Sequence, residues 1–427
     1  MVTSSKSDRS TQTGLSQPQS WSRRAIFALL SQLKAGHLIV VSPEGDRISF
    51  GNGQGSAAVL QVLHEDFFQR CLLFADLGLA ESYMDGLVEI PDIKALISFF
   101  LINQNASPVL NESPNASRLL NILGLANKIA HAMRQNSKSS SKKNIREHYD
   151  LGNDFFELFL DETMTYSSAL FCEPQLSLKQ AQEAKFERIA RQLKIRPGDR
   201  VLEVGSGWGA FSCYLAITYS CRVTGLTISE QQYQFSKKLI EESGLDKLIE
   251  IRLQDYREHK GSYDKIASIE MIEAVGDEYM DVFISKLDSL LAKDGILTMQ
   301  MITSADSRYQ ILKSNVDFIQ KHIFPGSLLP SLNRISQAMM SCGDLFLVDL
   351  FDMTPSYVLT LRLWQDSFEA NLDRVRAQGF DERFIRKWRY YFEYCQAAFA
   401  MRNVSVVQAT YSRPNNLRLA EGSRSNA

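Results

Sequence analysis

The sequence predicts an α/β protein: an open sheet with helices on its faces, preceded by a smaller α+β domain. Three observations carry this. Beyond Arg200, apolar strand-like runs alternate with helical segments, the pattern of a mostly parallel sheet whose ligand site lies at the carboxyl ends of the strands. The first of those strands runs directly into a glycine-rich turn that opens a helix. The chain has 427 residues, 44% of them hydrophobic, too long for one typical domain and apolar enough for two cores.

Residues 1–20 are polar and read as a disordered tail. From 21 to 104 the chain reads as a small accessory domain with a structural role. Ala25–Leu33 has helical spacing, His37–Val41 and Arg47–Phe50 are strand-like, Gly51–Gly55 is a turn, and apolar residues recur through Phe67–Leu87. Residues 105–143 form a linker. Its Asn-x-Ser sequons at Asn105, Asn111 and Asn115 read as chance matches, since no secretory signal is expected from the polar first residues. Arg118, Lys128, Arg134, Lys138, Lys142, Lys143 and Arg146 follow, with no acid between Glu112 and Glu147, beside an apolar face of Leu119, Leu120, Ile122, Leu123, Ile129 and Met133. Two readings stand for this stretch. It is either an ordinary surface helix with a serine-rich linker, or an interfacial helix whose basic tail meets anionic lipid head groups.

Residues 144–411 hold the main domain, and 412–427 read as a second disordered tail. Val201–Val204, Arg222–Leu226, Ile249–Leu253, Ile266–Ile269 and Ile296–Met301 are the strand-like runs, with helices such as Gln231–Ser243 and Tyr279–Leu291 between them. Composition narrows the function. A net charge of −2 argues against a nucleic-acid coat. The six cysteines include no CxxC pair and the six histidines no HExxH spacing, so neither a structural zinc site nor a disulfide framework is expected. The setting is reduced and cytoplasmic. No run approaches the roughly 18 apolar residues of a membrane span, although contact with a membrane surface stays open.

The sharpest motif is Val201-Leu-Glu203-Val-Gly205-Ser-Gly207-Trp208-Gly209-Ala210. Glycines there let the backbone turn tightly and approach a ligand without Cβ clashes. Gly205, Gly207 and Ala210 fit the dinucleotide pattern G-x-G-x-x-G/A. The third glycine, Gly209, and Glu203 placed to bond the loop amides favour S-adenosylmethionine (SAM) instead. At the second strand end a hydroxyl and amide cluster, Thr227, Ser229, Gln231 and Gln232, stands where a ribose-binding acid is usual. The third ends in Gln254-Asp255-Tyr256, where Asp255 can accept from an adenine amino group.

With these residues in hand, the chain resembles the cyclopropane-fatty-acyl-phospholipid synthases and mycolic acid cyclopropane synthases. The resemblance covers about residues 144–411. It is carried by His148-Tyr149-Asp-Leu-Gly-Asn153, Met164-Thr-Tyr-Ser-Ser168, the glycine loop, Leu226–Gln232, Leu253–Tyr256, Ile269-Glu-Met-Ile-Glu273, Ile323-Phe-Pro-Gly326 and Tyr390–Phe399. It implies a Rossmann-like class I SAM methyltransferase domain, with the N-terminal domain as the extension of longer members. It also implies a reaction. SAM methylates a cis double bond in the acyl chain of an unsaturated membrane phospholipid, a carbocation forms, and loss of a proton closes a cyclopropane ring. Such a site is dry and apolar, with aromatic faces toward the cation and a base beside it.

The resemblance implies bicarbonate as that base, held at Ser168, Glu273, Gln300, Ile302 and Tyr357. Two of these positions depart from the family: a cysteine is replaced by Ser168 and a histidine by Gln300. The usual Glu-His pair reads Glu273-Ala274. Gln300 donates a hydrogen bond but carries no proton, so proton handling is expected to differ. The cofactor contacts implied are Tyr166, Ser167, the loop Gly205–Gly209, Thr227–Gln232, Asp255 and Tyr256. Cys395 matches an active-site candidate that also reads as a packed thiol. A homodimer and a place on the inner face of the membrane complete what is implied. The nearest competitor is a fatty-acyl C-methyltransferase that yields a methylated or methylene lipid of the branched or furan fatty acid type. An N-methyltransferase, a non-catalytic lipid-binding protein and an NAD-dependent oxidoreductase stand further off.

Overall fold

The computed structural model describes residues 20–104 and 151–420. The basic stretch 118–146, the sequons, His148, Tyr149 and the residues before Ser20 and after Ala420 lie outside the described residues, as does the whole linker. Helix α1 (Trp21–Leu30) is capped by Ser20, whose hydroxyl accepts from the Arg23 amide. Strands β1 (His37–Val41), β2 (Arg47–Gly51) and β3 (Ala58–Val62) follow, then helix α2 (Asp66–Met84), the short strand β4 (Val88–Glu89) and helix α3 (Ile93–Asn103). The strands form a four-stranded sheet in the order β2-β1-β3-β4, in which only the β1–β3 pair is parallel.

The main sheet has seven strands. Helix α4 (Leu178–Leu193) leads in through a capping box between Ser177 and Gln180. Then come β5 (Arg200–Val204), α5 (Ala210–Tyr219), β6 (Arg222–Thr227), α6 (Glu230–Glu242), β7 (Ile249–Leu253), β8 (Tyr263–Ile269), α7 (Met280–Leu290) and β9 (Leu291–Ser304). All five strands expected here are present and mutually parallel, and the largely buried β5, β8 and β9 suit a sheet covered on both sides. Helix α8 (Leu332–Cys342), strand β10 (Phe346–Asp352), helices α9 (Thr354–Ala370) and α10 (Glu382–Ala400) and strand β11 (Val404–Ser412) complete it. The order is β10-β11-β9-β8-β5-β6-β7, with β10 and β11 antiparallel additions.

The stretch after 412 is not a tail as far as Ala420. Arg413 is ion-paired with Asp288 at 2.5 Å, and Asn416 donates to the Asp294 carbonyl at 2.9 Å. Arg413 also donates to the Ala292 carbonyl at 2.7 Å, so both residues satisfy peptide carbonyls at the start of β9, and a helical turn, Leu417–Ala420, closes the segment.

The N-terminal unit and the main domain share one apolar core. Leu96, Phe99 and Tyr83 belong to the same buried cluster as Phe155, Trp364 and Trp388. Arg386 of α10 lies 4.1 Å above the Tyr83 ring, donates to the Val88 carbonyl at 2.7 Å and pairs with Glu89 at 2.9 Å. Chain order runs outward from β5 to β7 and then jumps back to β8. This reversal leaves a crevice beyond the carboxyl ends of β5 and β8.

Candidate active site

A cavity of about 380 Å3 occupies that crevice. It is lined from the ends of β5, β6, β8 and β9 and closed by Tyr357 of α9 and Tyr391 and Cys395 of α10. One end is a glycine cradle. Gly205 has φ +85 and a Cβ there would stand 2.8 Å from Met271 Cγ, whereas Gly207, at φ +53, faces open space. Trp208 lines the cavity and donates its indole N–H to Asn153 at 2.8 Å. Gly209 does not line it. Its φ of +90 starts α5, and its bare Cα lets α6 approach, since a Cβ would meet Ser236 Oγ at 3.1 Å.

Glu203 lies at the base of the cradle. Its carboxylate accepts from the Ser212 hydroxyl of α5 and not from the loop amides, and burial pushes its pKa up to about 8 against Ser212 and Lys185. Lys185, a residue that motif reasoning passed over, is completely buried. Its ammonium donates to Ser167 Oγ at 2.7 Å and is lowered by burial to about 7. Thr227 and Gln232 line the cavity and bond each other at 2.9 Å. Ser229 instead caps α6, and the half-buried Gln231 lies away from the lining. Asp255 and Tyr256 line the cavity, and Asp255 is ion-paired with Arg257 at 2.6 Å. An adenine amino group would therefore share that carboxylate with a guanidinium.

An open cradle at Gly207, a hydroxyl and amide pair at one strand tip and an acid at the next fit SAM. Bound there, SAM supplies an electrophilic methyl group. The chain's own residues shape the remainder of the site. Tyr166 donates to the Tyr391 hydroxyl at 3.1 Å, and its ring lies 6.0 Å from Phe324 and 5.2 Å from Trp364. Tyr357 packs 4.5 Å from Phe399. These faces can stabilise a cation without supplying a nucleophile. Cys395 lines the cavity, but burial drives its thiol strongly upward, so it stays protonated and acts as packing.

Two carboxylates sit at the end of β8. Glu273 accepts from the Ile302 amide, while its Oε2 is buried without a partner. Burial, and then the neighbouring Glu270, raise it to about 8. Glu270, absent from the sequence-derived site, accepts from the Ser168 amide at 2.8 Å, from Gln300 Nε2 at 2.8 Å and from the Tyr357 hydroxyl at 3.0 Å. Its backbone has φ +46, a left-handed conformation that costs a non-glycine residue about 1–2 kcal/mol. The Ser168 hydroxyl turns away to the Ala169 carbonyl. Ser168, Gln300, Ile302 and Tyr357 are thus brought together as expected, but bicarbonate does not fit among them. Each donor expected to hold it already serves a carboxylate of the chain.

Two outcomes test this geometry. Gly207→Ala places a methyl group in the cradle and is expected to weaken binding of S-adenosylhomocysteine at least tenfold by calorimetry. Gly209→Ala is expected to lower thermal stability through Ser236 and to affect binding less. Equal effects on binding would refute the assignment of the two glycines. The raised Glu273 acid sets a pH dependence. The folded state holds this proton to about pH 8 and the unfolded state releases it near 4.5. Its contribution is therefore full below about 4.5 and is lost as pH rises toward 8. Glu273→Gln should shrink the loss of unfolding free energy between pH 5 and 8 by about 3 kcal/mol, measured by urea titration. An unchanged slope would contradict the buried acid.

The profile described as mycolic acid cyclopropane synthetase matches residues 136–409. The chain is 36% identical over 371 residues to the cyclopropane-fatty-acyl-phospholipid synthase of Escherichia coli (strain K12), covering 86% of this chain and 91% of that one. It is also 36% identical over 284 residues to the tuberculostearic acid methyltransferase UfaA1 of Mycobacterium tuberculosis, covering 65% and 66%. Among solved structures, the mycolic acid cyclopropane synthase CmaA1 complexed with SAH and CTAB is 30% identical, with a TM-score of 0.60 over 64% of this chain and 98% of that one. With this cradle and the strand order of a class I fold, the chain belongs to the mycolic acid cyclopropane synthetase family and is a SAM-dependent methyltransferase.

Proposed function

We propose that the enzyme transfers a one-carbon unit from SAM to the cis double bond of an unsaturated phospholipid acyl chain and closes a cyclopropane ring. The observation that carries this reading is the composition of the cavity. A glycine cradle opens into a chamber walled by Tyr166, Phe324, Tyr357, Leu361, Tyr391 and Phe399, and two carboxylates, the buried Glu273 and the half-buried Glu270, also line it. An alkene is a weak nucleophile and brings no proton to remove before attack, so the protein has only to exclude water, align the double bond with the methyl group and bear the resulting cation. The aromatic faces meet the last demand. Similarity to the Escherichia coli synthase over most of both chains supports the phospholipid substrate. Bicarbonate, the base implied by the family resemblance, finds its donors engaged by Glu270 and Glu273.

A second reading rests on the similarity to a tuberculostearic acid methyltransferase. Here the same cation either loses a proton from an adjacent chain carbon, giving a methyl-branched alkene, or takes a hydride from the methyl-bearing carbon and then loses a proton from the new methyl group, giving a methylene lipid. Access to the membrane follows from the first reading. No described helix is long and apolar enough to cross a bilayer. On the first reading the enzyme works from the membrane surface, with residues 118–146 as its anionic-lipid contact and a homodimer as a means of increasing avidity.

Purified enzyme with SAM and vesicles of unsaturated phospholipid should add the mass of one CH2 per double bond, with high-field cyclopropane protons by NMR. Vinylic signals would favour the second reading, and no mass gain would refute both. Neutralising Lys138, Lys142 and Lys143 together should weaken binding to anionic vesicles roughly 10- to 100-fold, at about 1 kcal/mol per lysine or less, and flatten its salt dependence. Unchanged binding would remove the basic stretch from the membrane contact.

A further inference from the structure

Glu270 is held as a bound anion would be. Its three donors come from separate parts of the fold: the Ser168 amide in the loop before α4, Gln300 on β9 and Tyr357 on α9. The polarity of the Gln300 amide is imposed from the far side of the sheet. Arg188, paired with Asp349 at 2.9 Å, donates to Gln408 Oε1 at 3.0 Å. A guanidinium has no acceptor, so Gln408 must turn its Nε2 to Gln300 Oε1, at 2.9 Å. Gln300 must then present Nε2 to Glu270. The relay is one-way and conducts no proton. The Glu270 amide donates to the Gln300 carbonyl at 2.8 Å, which fixes the left-handed backbone that turns the side chain into the cavity.

We propose that the Glu270 carboxylate is the base of this enzyme, built into the anion site that a diffusible base would otherwise occupy. The proposal rests on the reading above, in which a cation forms on the acyl chain. In that reaction the methyl–sulfur bond breaks with its electron pair left on sulfur, and the alkene pair forms the new carbon–carbon bond. A C–H bond of the added methyl group then breaks. Its electron pair closes the ring on the cationic carbon, and its proton passes to Glu270, which becomes a carboxylic acid and releases the proton to water when product leaves. The two carboxyls divide the work. Burial raises both carboxyls. At Glu270 it is opposed by Lys185 and by three donors that favour the ionised form, whereas Glu273 is raised further by Glu270, keeps a bare Oε2, and is the one that stays protonated.

The test pairs activity with a binding measurement. In carbonate-free buffer the wild type should methylate unsaturated vesicles at the same rate with and without added bicarbonate. Glu270→Gln keeps the site filled but accepts no proton, so it should lose at least 100-fold, with no recovery. Glu270→Gly should lose as much and regain activity with bicarbonate, because glycine is at ease at this φ and leaves a donor-lined vacancy. Line broadening of isotope-labelled bicarbonate should appear with Glu270→Gly and be absent with the wild type. Stimulation or line broadening with the wild type would overturn the proposal, as would near-normal activity of Glu270→Gln. If the wild type modifies no lipid at all, the lipid reading fails, and the line-broadening comparison still decides whether Glu270 fills the anion site.

Discussion

A carboxylate withdrawn from water has to be matched donor by donor, and at Glu270 that requirement ties the cavity into one piece. The Ser168 amide, the Gln300 side chain and the Tyr357 hydroxyl reach it from a loop, a strand and a helix far apart in sequence. None of the three can move without leaving a half-buried charge in the cavity short of a partner, at a cost that exceeds the net value of an ordinary hydrogen bond. The strained backbone at Glu270 is tolerable for the same reason, since surroundings that over-determine a residue can hold it in an unfavourable conformation.

The parallel half of the sheet is legible from the sequence because each strand is a short, bounded apolar run with a helix after it. The antiparallel half is harder to read. β10 carries Phe346, Leu347, Val348, Leu350 and Phe351 partly exposed at the sheet edge, and β11 follows α10 so closely that its apolar residues merge with the helix's own. The strand-end motifs located the site, and most of the residues they named line it. Motif logic could not separate cavity-facing residues from their neighbours. Ser229 serves as a helix cap and Gly209 as a point of helix contact, and both roles depend on partners distant in sequence. Glu270 escaped attention because its importance lies in a backbone angle and three donors, none of which has a signature at that position. The substitutions at Gln300 and Ala274 were visible and signalled that proton handling had changed, but not what had taken its place.

No described residue of the N-terminal unit lines the cavity, yet the unit bears on the site through α10. That helix presents Tyr391, Tyr394, Cys395 and Phe399 to the cavity, and on the side facing the N-terminal unit Arg386 lies over Tyr83 and reaches Val88 and Glu89. Glu81 of α2 pairs with both Lys321 and His322, which hold its carboxyl down to about 2. Both ends of the aromatic wall are therefore braced by the same unit. A wall that must stabilise a cation cannot rearrange freely, because the attraction of a ring face for charge falls quickly with distance and tilt.

The exchange of an imidazole for an amide at Gln300 becomes intelligible once Glu270 is in place. An imidazole beside a buried carboxylate would share a proton with it, and the pair would titrate as one unit with its charge spread over both. A glutamine beside the same carboxylate donates one fixed hydrogen bond and leaves the proton affinity to the acid. Its orientation is set by Arg188 through Gln408, so the donor cannot flip to offer its carbonyl oxygen. Electrostatics then favour the resting arrangement. Glu270 carries the negative charge, Lys185 partly offsets it, and Glu273 and Glu203, both raised toward about 8 by burial, stay largely protonated at neutral pH. A positively charged ligand entering beside these groups favours their ionised forms. The cavity is thus poised to gain negative charge when a cation arrives, without drawing in water to provide it.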